Sequence, residues 1–171
     1  MRYGILATIG LVGFLIQSVL GAYLSIGGAM PSPLLQITVT LGLLFGWRIG
    51  LGTGLIGGLL LDLTAGRLIG LHLLSMGLVG LLIGLLEEKV FKENWFLAGL
   101  VGAGSAILAH GLNFLCLALL GWRFDPVHTL VGAILPSALY DGLLTMLVYS
   151  QVYRYYQYLR PNPRGTIVLR R

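Results

Sequence analysis

The sequence contains few charged residues, and this scarcity limits the class of protein it can encode. Of its 171 residues, 10% are charged and 57% are hydrophobic. A soluble domain usually has about 25% charged residues, because its surface faces water. No charged residue occurs in 3–47, 68–86 or 94–122. Uncharged apolar runs of this length are typical of membrane helices, so the composition excludes a soluble enzyme, a disordered chain and a disulfide scaffold.

The chain also lacks the groupings of residues on which catalysis and cofactor binding depend. It has a single cysteine, Cys116, so an internal disulfide is excluded. No cysteine or carboxylate stands at metal-ligand spacing beside His72, His110 or His128, and we interpret these as isolated hydrogen-bonded histidines. Neither a glycine-rich phosphate loop nor a nucleophile–base pair is present. We therefore predict no catalytic residue, no cofactor, no metal site and no enzymatic activity.

What is present is a series of apolar segments, and these predict an all-α polytopic membrane protein. A helix needs about 20 residues to cross a hydrocarbon core of about 30 Å. Charges, prolines and glycines divide residues 1–160 into one transmembrane domain of six helices in a compact bundle, followed by a basic cytoplasmic tail at 161–171. The predicted spans are about 4–24, 32–47, 49–64, 68–87, 94–121 and 127–152.

The second and third spans are short and flank Arg48, which leaves two interpretations. They are either two tightly turned spans or a re-entrant hairpin that enters from the outer face. The hairpin would place Arg48 near the membrane interior, at a cost of at least ~2.5 kcal/mol. We prefer two spans, with local thinning of the bilayer compensating for their length.

The basic residues predict the orientation of the bundle. The formal net charge is +5, but the basic residues lie mostly in loops and tail, so we expect no nucleic-acid partner. Lys and Arg concentrate in cytoplasmic segments of membrane proteins. If the chain starts inside, the outer segments contain Arg67 and Arg123, and the inner ones contain the remaining nine, so both termini are predicted to be cytoplasmic. A cluster of tyrosines from Tyr149 to Tyr158 is expected to form an aromatic belt at the inner interface.

Small residues and one carboxylate recur every four positions along the third span and its exit. Glycines at this spacing let another helix approach closely, either within the bundle or from a partner. Asp62 falls close to the outer interface, where it is predicted to accept hydrogen bonds from the following backbone or to face Arg67. The alternative is a ligand or proton site. The series consists of Gly50, Gly54, Gly58, Asp62 and Gly66.

A second carboxylate, Asp141, stands in the middle of the sixth span. It follows Pro136, which removes a helical hydrogen bond and is predicted to kink the helix. A carboxylate at this depth must be protonated, paired or directed at a polar cavity. His110 and Asn113 share a face of the fifth span and are the predicted partners.

These segments contain motifs that resemble a known family. Pro31-Ser32-Pro33-Leu34-Leu35 opens the second span, and Leu59-Leu60-Leu61-Asp62-Leu63-Thr64-Ala65-Gly66 closes the third. Leu68-Ile69-Gly70-Leu71-His72 follows. In this register, and with six spans, the chain resembles the rod shape-determining protein MreD family of the bacterial inner membrane. Ser32 stands where that family often has Asp or Asn, and Pro33 adds a second proline.

The resemblance implies a non-enzymatic scaffold of the cell-elongation machinery in the bacterial cytoplasmic (inner) membrane. Such a protein binds the single-span protein MreC and helps regulate lateral peptidoglycan synthesis and rod shape. Further implied partners are MreB, RodZ, RodA, a class B penicillin-binding protein, membrane lipid and a second copy in a homodimer. The layout is also similar to that of the substrate-capture subunits of energy-coupling-factor transporters. The residues expected to serve structure or partner packing are Pro31, Gly50, Gly54, Gly58, Asp62, Gly66, Gly70, Pro136 and Asp141.

Two other functions are alternatives. A substrate-capture subunit of a vitamin transporter commonly has an Ala-x-x-x-Ala pair on its first span, but here Ala7 is followed by Leu11 and Ala22 by Ile26. An intramembrane enzyme would need Asp62 and Asp141 to act together, and their predicted depths differ.

Overall fold

A computed structural model describes residues 31–66, 68–87, 94–122, 125 and 129–159. All regular structure in this part of the chain is helical. The first predicted span, 4–24, and the tail, 161–171, lie outside the described residues. The helices are α1 (Pro33–Phe45), α2 (Trp47–Ala65), α3 (Leu71–Leu85), α4 (Trp95–Leu119) and α5 (Leu135–Leu159), with a π-helical turn at Leu130–Ile134 directly before α5.

Three of these helices are long and apolar enough to cross a membrane, namely α2, α4 and the continuous helix at Leu130–Gln157. By contrast, α1 has 13 residues and α3 has 15. At a rise of 1.5 Å per residue they extend about 20 and 22 Å, which is less than the hydrocarbon core. The helix in the second predicted span is therefore short, as its sequence indicates. The third span is also predicted to be short, but α2 is long enough to cross, and the helix in 68–87 is shorter than the full-length span predicted there.

A tight turn at Gly46 joins α1 to α2. Gly46 has a φ of 87°, in the left-handed region that favours glycine. A Cβ on Gly46 would meet a carboxylate oxygen of Glu87, two residues after the end of α3. The next two residues, Trp47 and Arg48, are exposed, and the Arg48 guanidinium lies 5.3 Å from the centre of the Trp47 ring. The turn therefore places Arg48 at an exposed end of the helix pair.

Glycines allow α2 and α3 to pack backbone against backbone, as antiparallel neighbours. A Cβ at Gly50 would meet the carbonyl oxygen of Gly80, and a Cβ at Gly54 would meet that of Met76. Farther along, a Cβ at Gly58 would lie 2.6 Å from the Cα of Leu73. Three of the glycines spaced four apart thus face a helix of the same chain.

Among the described helices α1 is the most enclosed, since every residue from Leu34 to Leu44 is buried. A helix with no charged residue and mostly apolar side chains is expected to be enclosed by others. It runs antiparallel to α2, since a Cβ on Gly42 would lie 3.6 Å from the Cα of Gly50 and one on Gly57 would lie 3.9 Å from the Leu34 Cβ. Because α2 continues for eight residues beyond Gly57, α1 begins about 12 Å before α2 ends.

Small residues also form the contact between α4 and α5, which are antiparallel. A Cβ on Gly99 would meet the side chain of Met146, and one on Gly102 would meet Thr145. On the facing helix, a Cβ on Gly142 would lie 3.0 Å from the Cβ of Ala103. The two helices therefore pack closely in the halves that are predicted to lie nearer the cytoplasm.

The π-helical turn precedes Pro136 and accommodates it. Proline lacks an N–H, so an α-helix loses a hydrogen bond at that position. In the wider turn, the backbone N–H of Leu135 donates to the carbonyl oxygen of Leu130. The predicted irregularity is thus a π-helical turn on the N-terminal side of Pro136.

Several tyrosines of α5 pack into the bundle, whereas residues of an aromatic belt would face the membrane interface. Tyr149 is 1% exposed and stacks on Tyr153, with ring centroids 5.9 Å apart. Tyr156 follows on the same face and meets Phe45 of α1 edge to face at 5.3 Å. Tyr149 is buried inside the bundle, so the prediction that it belongs to an aromatic belt at the interface is wrong. Tyr155, by contrast, is exposed.

Candidate functional site

Asp62 is fully buried, and it caps the helix that follows its own. Its Oδ2 accepts hydrogen bonds from the backbone N–H groups of Gly70 (2.8 Å) and Leu73 (3.1 Å). Its Oδ1 accepts from the His72 N–H and lies 2.9 Å from His72 Nδ1. A carboxylate has about four lone-pair positions, so all of them are occupied. Asp62 supplies the capping oxygens that Gly70, the N-cap residue of α3, lacks.

Two glycines with positive φ let the chain turn around this carboxylate. Gly66, with φ 64°, ends α2 and donates its N–H to the carbonyl oxygen of Asp62 at 3.1 Å. Gly70, with φ 108°, begins α3. Arg67, the other predicted partner of Asp62, lies outside the described residues. The segment from Asp62 to His72 is therefore a capped turn between two packed helices.

Asp141 is also buried, at 1% exposure, and it also caps another helix. Its Oδ1 accepts from the backbone N–H of Ser32 at 2.9 Å and from Gln36 Nε2 at 2.8 Å. Both donors belong to the start of α1, which begins about 12 Å before α2 ends. The first N–H groups of a helix have no partner within it, and Asp141 provides one for Ser32 inside the bundle.

The second oxygen of Asp141 is not satisfied in the same way. His110 Nε2 lies 3.7 Å from Asp141 Oδ2, which is within ion-pair distance but too long for a hydrogen bond. Within the described part of the chain, four buried atoms have no hydrogen-bond partner, and all belong to α1, α4 or α5. They are Thr40 Oγ1, His110 Nε2, Asn113 Oδ1 and Asp141 Oδ2.

The predicted site residues thus fall into separate groups. Asp62 and Asp141 contact different residues, and no hydrogen bond joins the two carboxylates in the described structure. His110 is brought to Asp141, whereas Asn113 makes no hydrogen bond to it. Pro31 is buried ahead of α1 and Pro136 is half-buried. A role in partner packing for any of these residues stays a prediction.

Sequence reasoning missed the main partners of both carboxylates. His72 was interpreted as isolated but contacts Asp62, ten residues earlier in the chain. Neither Ser32 nor Gln36 is among the predicted partners of Asp141, although Ser32, Gln36 and Thr40 form a polar series at four-residue spacing in an apolar segment. That spacing places them on one helix face and was the available signal.

Groups of three or more His, Cys, Asp or Glu residues that could hold a metal ion are absent from the described residues. The buried carboxylates Asp62 and Asp141 instead cap helices within an apolar bundle. The apolar helices and these caps together define a polytopic α-helical membrane protein.

The family model of the rod shape-determining protein MreD matches residues 1–159. The chain belongs to this family, and it is accordingly a rod-shape-determining protein of bacterial membranes. Searches of the curated proteins and of the solved structures gave no match.

Proposed function

We propose that this protein is a non-enzymatic scaffold of the cell-elongation machinery in the bacterial cytoplasmic membrane. In this role it binds an MreC-like single-span protein and helps regulate lateral peptidoglycan synthesis. MreB, RodZ, RodA and a class B penicillin-binding protein act in the same assembly. Membership of the MreD family is the single observation on which this proposal depends.

The composition of the bundle supports a scaffold rather than an enzyme. Its described residues lie almost entirely in apolar helices, so the surface available to a partner is mostly a helix face within the bilayer. Three of the glycines that are candidates for partner packing, Gly50, Gly54 and Gly58, lie between α2 and α3. A partner helix would therefore meet outward-facing residues instead.

Two outward faces offer large apolar side chains. One belongs to α2 and α3 and includes Ile56 and Leu74, each 65% exposed. The other belongs to α4 and α5 and includes Leu100 at 63% and Leu139 at 71%. A single transmembrane helix of a partner would pack against such side chains by van der Waals contact.

The test is deletion of the gene in its rod-shaped host, with the tagged full chain supplied again in trans. Deletion is expected to give round cells, and the tagged chain is expected to restore rods and to co-purify the MreC-like protein. Normal shape after clean deletion, together with no recovery of that protein, contradicts the proposal.

The purified tagged chain also distinguishes the scaffold proposal from the transporter alternative. A substrate-capture subunit would retain a vitamin-sized molecule that mass spectrometry detects after gentle solubilisation. Such a molecule, in cells whose shape does not depend on the gene, would replace the scaffold proposal with that alternative.

A further inference from the structure

One side of α1 is buried, yet its apolar residues lie outside the hydrophobic core of the described helices. Ile37 and Leu41 stand one turn apart and are 8% and 1% exposed. Neither belongs to the core cluster, which contains other residues of α1 such as Leu34 and Val39. Thr40, on the same side of the helix, is fully buried as well. We call Ile37, Thr40 and Leu41 the Ile37 face of α1.

The contacts of neighbouring residues show where the Ile37 face points. Gln36 donates a hydrogen bond to α5, and Leu34 lies against a glycine of α2. Thr38 lies against a glycine of α3. With about 3.6 residues per turn, Ile37 lies between the directions of Gln36 and Leu34 as one looks along the helix axis. The Ile37 face is therefore directed at the space between α5 and α2.

The described helices do not close that space. Contacts join α2 to α3, α3 to α4 and α4 to α5, so these four helices form an arc around α1. The two ends of the arc, α2 and α5, make no contact with each other within the described residues. Because Ile37 and Leu41 are nonetheless buried in a structure of one chain, another segment of the same chain must cover them.

Of the segments outside the described residues, only 1–30 has the length and the composition for this cover. It contains the predicted span 4–24, which has no charged residue. By contrast, four of the six residues in 88–93 are charged, and 160–171 contains four arginines. The other such segments are at most three residues long. The predicted first span is therefore the segment that fits the Ile37 face.

The connection to α1 restricts where that span can lie and which way it runs. Six residues, 25–30, join Leu24 to Pro31, which is buried directly before α1. Even a fully extended chain covers at most about 25 Å from Leu24 to Pro31. This is less than the hydrocarbon core of about 30 Å, so the link cannot cross the membrane. The end of the span must therefore lie near the start of α1, and the two helices must run in opposite directions.

We propose that the first span, 4–24, packs on the Ile37 face of α1 between α2 and α5, antiparallel to α1. It completes the ring of helices around α1, and its side chains bury Ile37, Thr40 and Leu41. A helix of a partner protein then has no access to α1 and meets only the outer sides of the surrounding helices. This inference goes beyond the proposed scaffold function and does not depend on it.

Disulfide cross-linking of the full chain in cell membranes tests this placement. In a Cys116→Ser background, Ile37→Cys is combined with a cysteine at each position from 8 to 21 in turn. A disulfide needs Cβ atoms within about 4.5 Å of each other. After oxidation with copper–phenanthroline, cross-linked chains resist alkylation by a maleimide–polyethylene glycol reagent. Resistance is expected at positions three to four apart, on one face of the span, and not at the positions between them.

Ile56→Cys on α2 is the matched control. Ile56 lies at nearly the same depth as Ile37, because α1 and α2 are antiparallel with Leu34 beside Gly57. Its side chain faces outward, however, and is 65% exposed. The same series of second cysteines is therefore expected to give no cross-link with Ile56→Cys.

Leu41→Cys provides a second variant that also tests the direction of the span. Because the two helices are antiparallel in the proposal, its cross-linked positions are expected to lie about four residues nearer the N-terminus than those of Ile37→Cys. A shift toward the C-terminus contradicts the proposal. So does the absence of any cross-link in both series, or equal cross-linking with Ile56→Cys. A disulfide-linked dimer formed by Ile37→Cys alone would assign this face to a second copy of the chain and would also overturn it.

Discussion

Asp62 and Asp141 are two buried carboxylates that both cap a helix but differ in how many of their oxygens accept hydrogen bonds. Each caps a helix other than its own, Asp62 the start of α3 and Asp141 the start of α1. Asp62 accepts hydrogen bonds at both oxygens, whereas Asp141 does so at Oδ1 alone. Because of this difference, we expect replacement by asparagine to destabilise the protein more at Asp62 than at Asp141.

Asp62→Asn is expected to destabilise the protein by about 2–3 kcal/mol, because one of the two accepting oxygens becomes an amide that faces the N–H donors of α3. Denaturant unfolding in detergent measures this change. His72→Gln is the matched variant: it alters only the side-chain contact and leaves the three backbone hydrogen bonds, so its loss is expected to be smaller. Equal losses for the two variants would contradict the capping role of the carboxylate.

Asp141→Asn is expected to cost less than about 1 kcal/mol, since the asparagine Oδ1 can still accept from Ser32 and Gln36. Asp141→Leu removes that oxygen and leaves both donors buried, so a loss of about 2–3 kcal/mol is expected. The same unfolding measurement compares the two. A large loss for Asp141→Asn would mean that the negative charge itself, rather than the oxygen that caps α1, stabilises the bundle.

At the scale of the helices, glycine determines how closely α2 and α3 approach. The contacts at Gly50, Gly54 and Gly58 are backbone contacts, which cannot give way as a flexible side chain does. Gly52, on the same helix, has nothing within 4 Å of its Cβ position. The two kinds of glycine are therefore expected to respond differently to the same substitution.

Gly54→Ala is expected to cost about 1–3 kcal/mol, because its Cβ would overlap the carbonyl oxygen of Met76 and force the helices apart. Gly52→Ala is the control, and we expect it to be neutral or to stabilise by up to about 1 kcal/mol through helix propensity. Thermal unfolding in detergent tests both variants. A greater loss at Gly52 than at Gly54 would show that the glycine contact between α2 and α3 is not the source of stability.

The sequence located these helices better than it located their lengths and partners. The glycine spacing of the third span is visible in the chain, but not whether those glycines face α3 or another protein. The 15-residue length of α3 results from the capped turn at Asp62, which delays the helix start to Leu71. Likewise, no local pattern shows that the N-terminus of α1 stops beside Asp141.

For the whole molecule, the distribution of Lys and Arg predicts which end of the bundle faces the cytoplasm. The turn at Gly46–Arg48 and the turn at 66–70 lie at opposite ends of α2. The first belongs to the predicted inner segments and the second to the outer ones.

Cysteine labelling in a Cys116→Ser background is expected to reveal this orientation. Ile69→Cys, at a position 75% exposed, should react with a membrane-impermeant maleimide in cells whose outer membrane alone is permeabilised. Arg48→Cys should react only after the inner membrane is opened as well. The reverse pattern would place both termini outside and would contradict the orientation assigned from the basic residues.

The sequence by itself determined that this protein is an α-helical membrane protein of the MreD family. Long uncharged runs have no stable place other than a bilayer, and the Leu-Asp-Leu-Thr-Ala-Gly motif is local in the chain. Only the tertiary structure decided what the buried polar residues do. Asp62 and Asp141 are capping residues because the helix ends that need an oxygen lie 8 and 109 positions away in the sequence. The contacts of Asp141 with Ser32, Gln36 and His110 depend on three helices meeting, a condition that no single segment encodes.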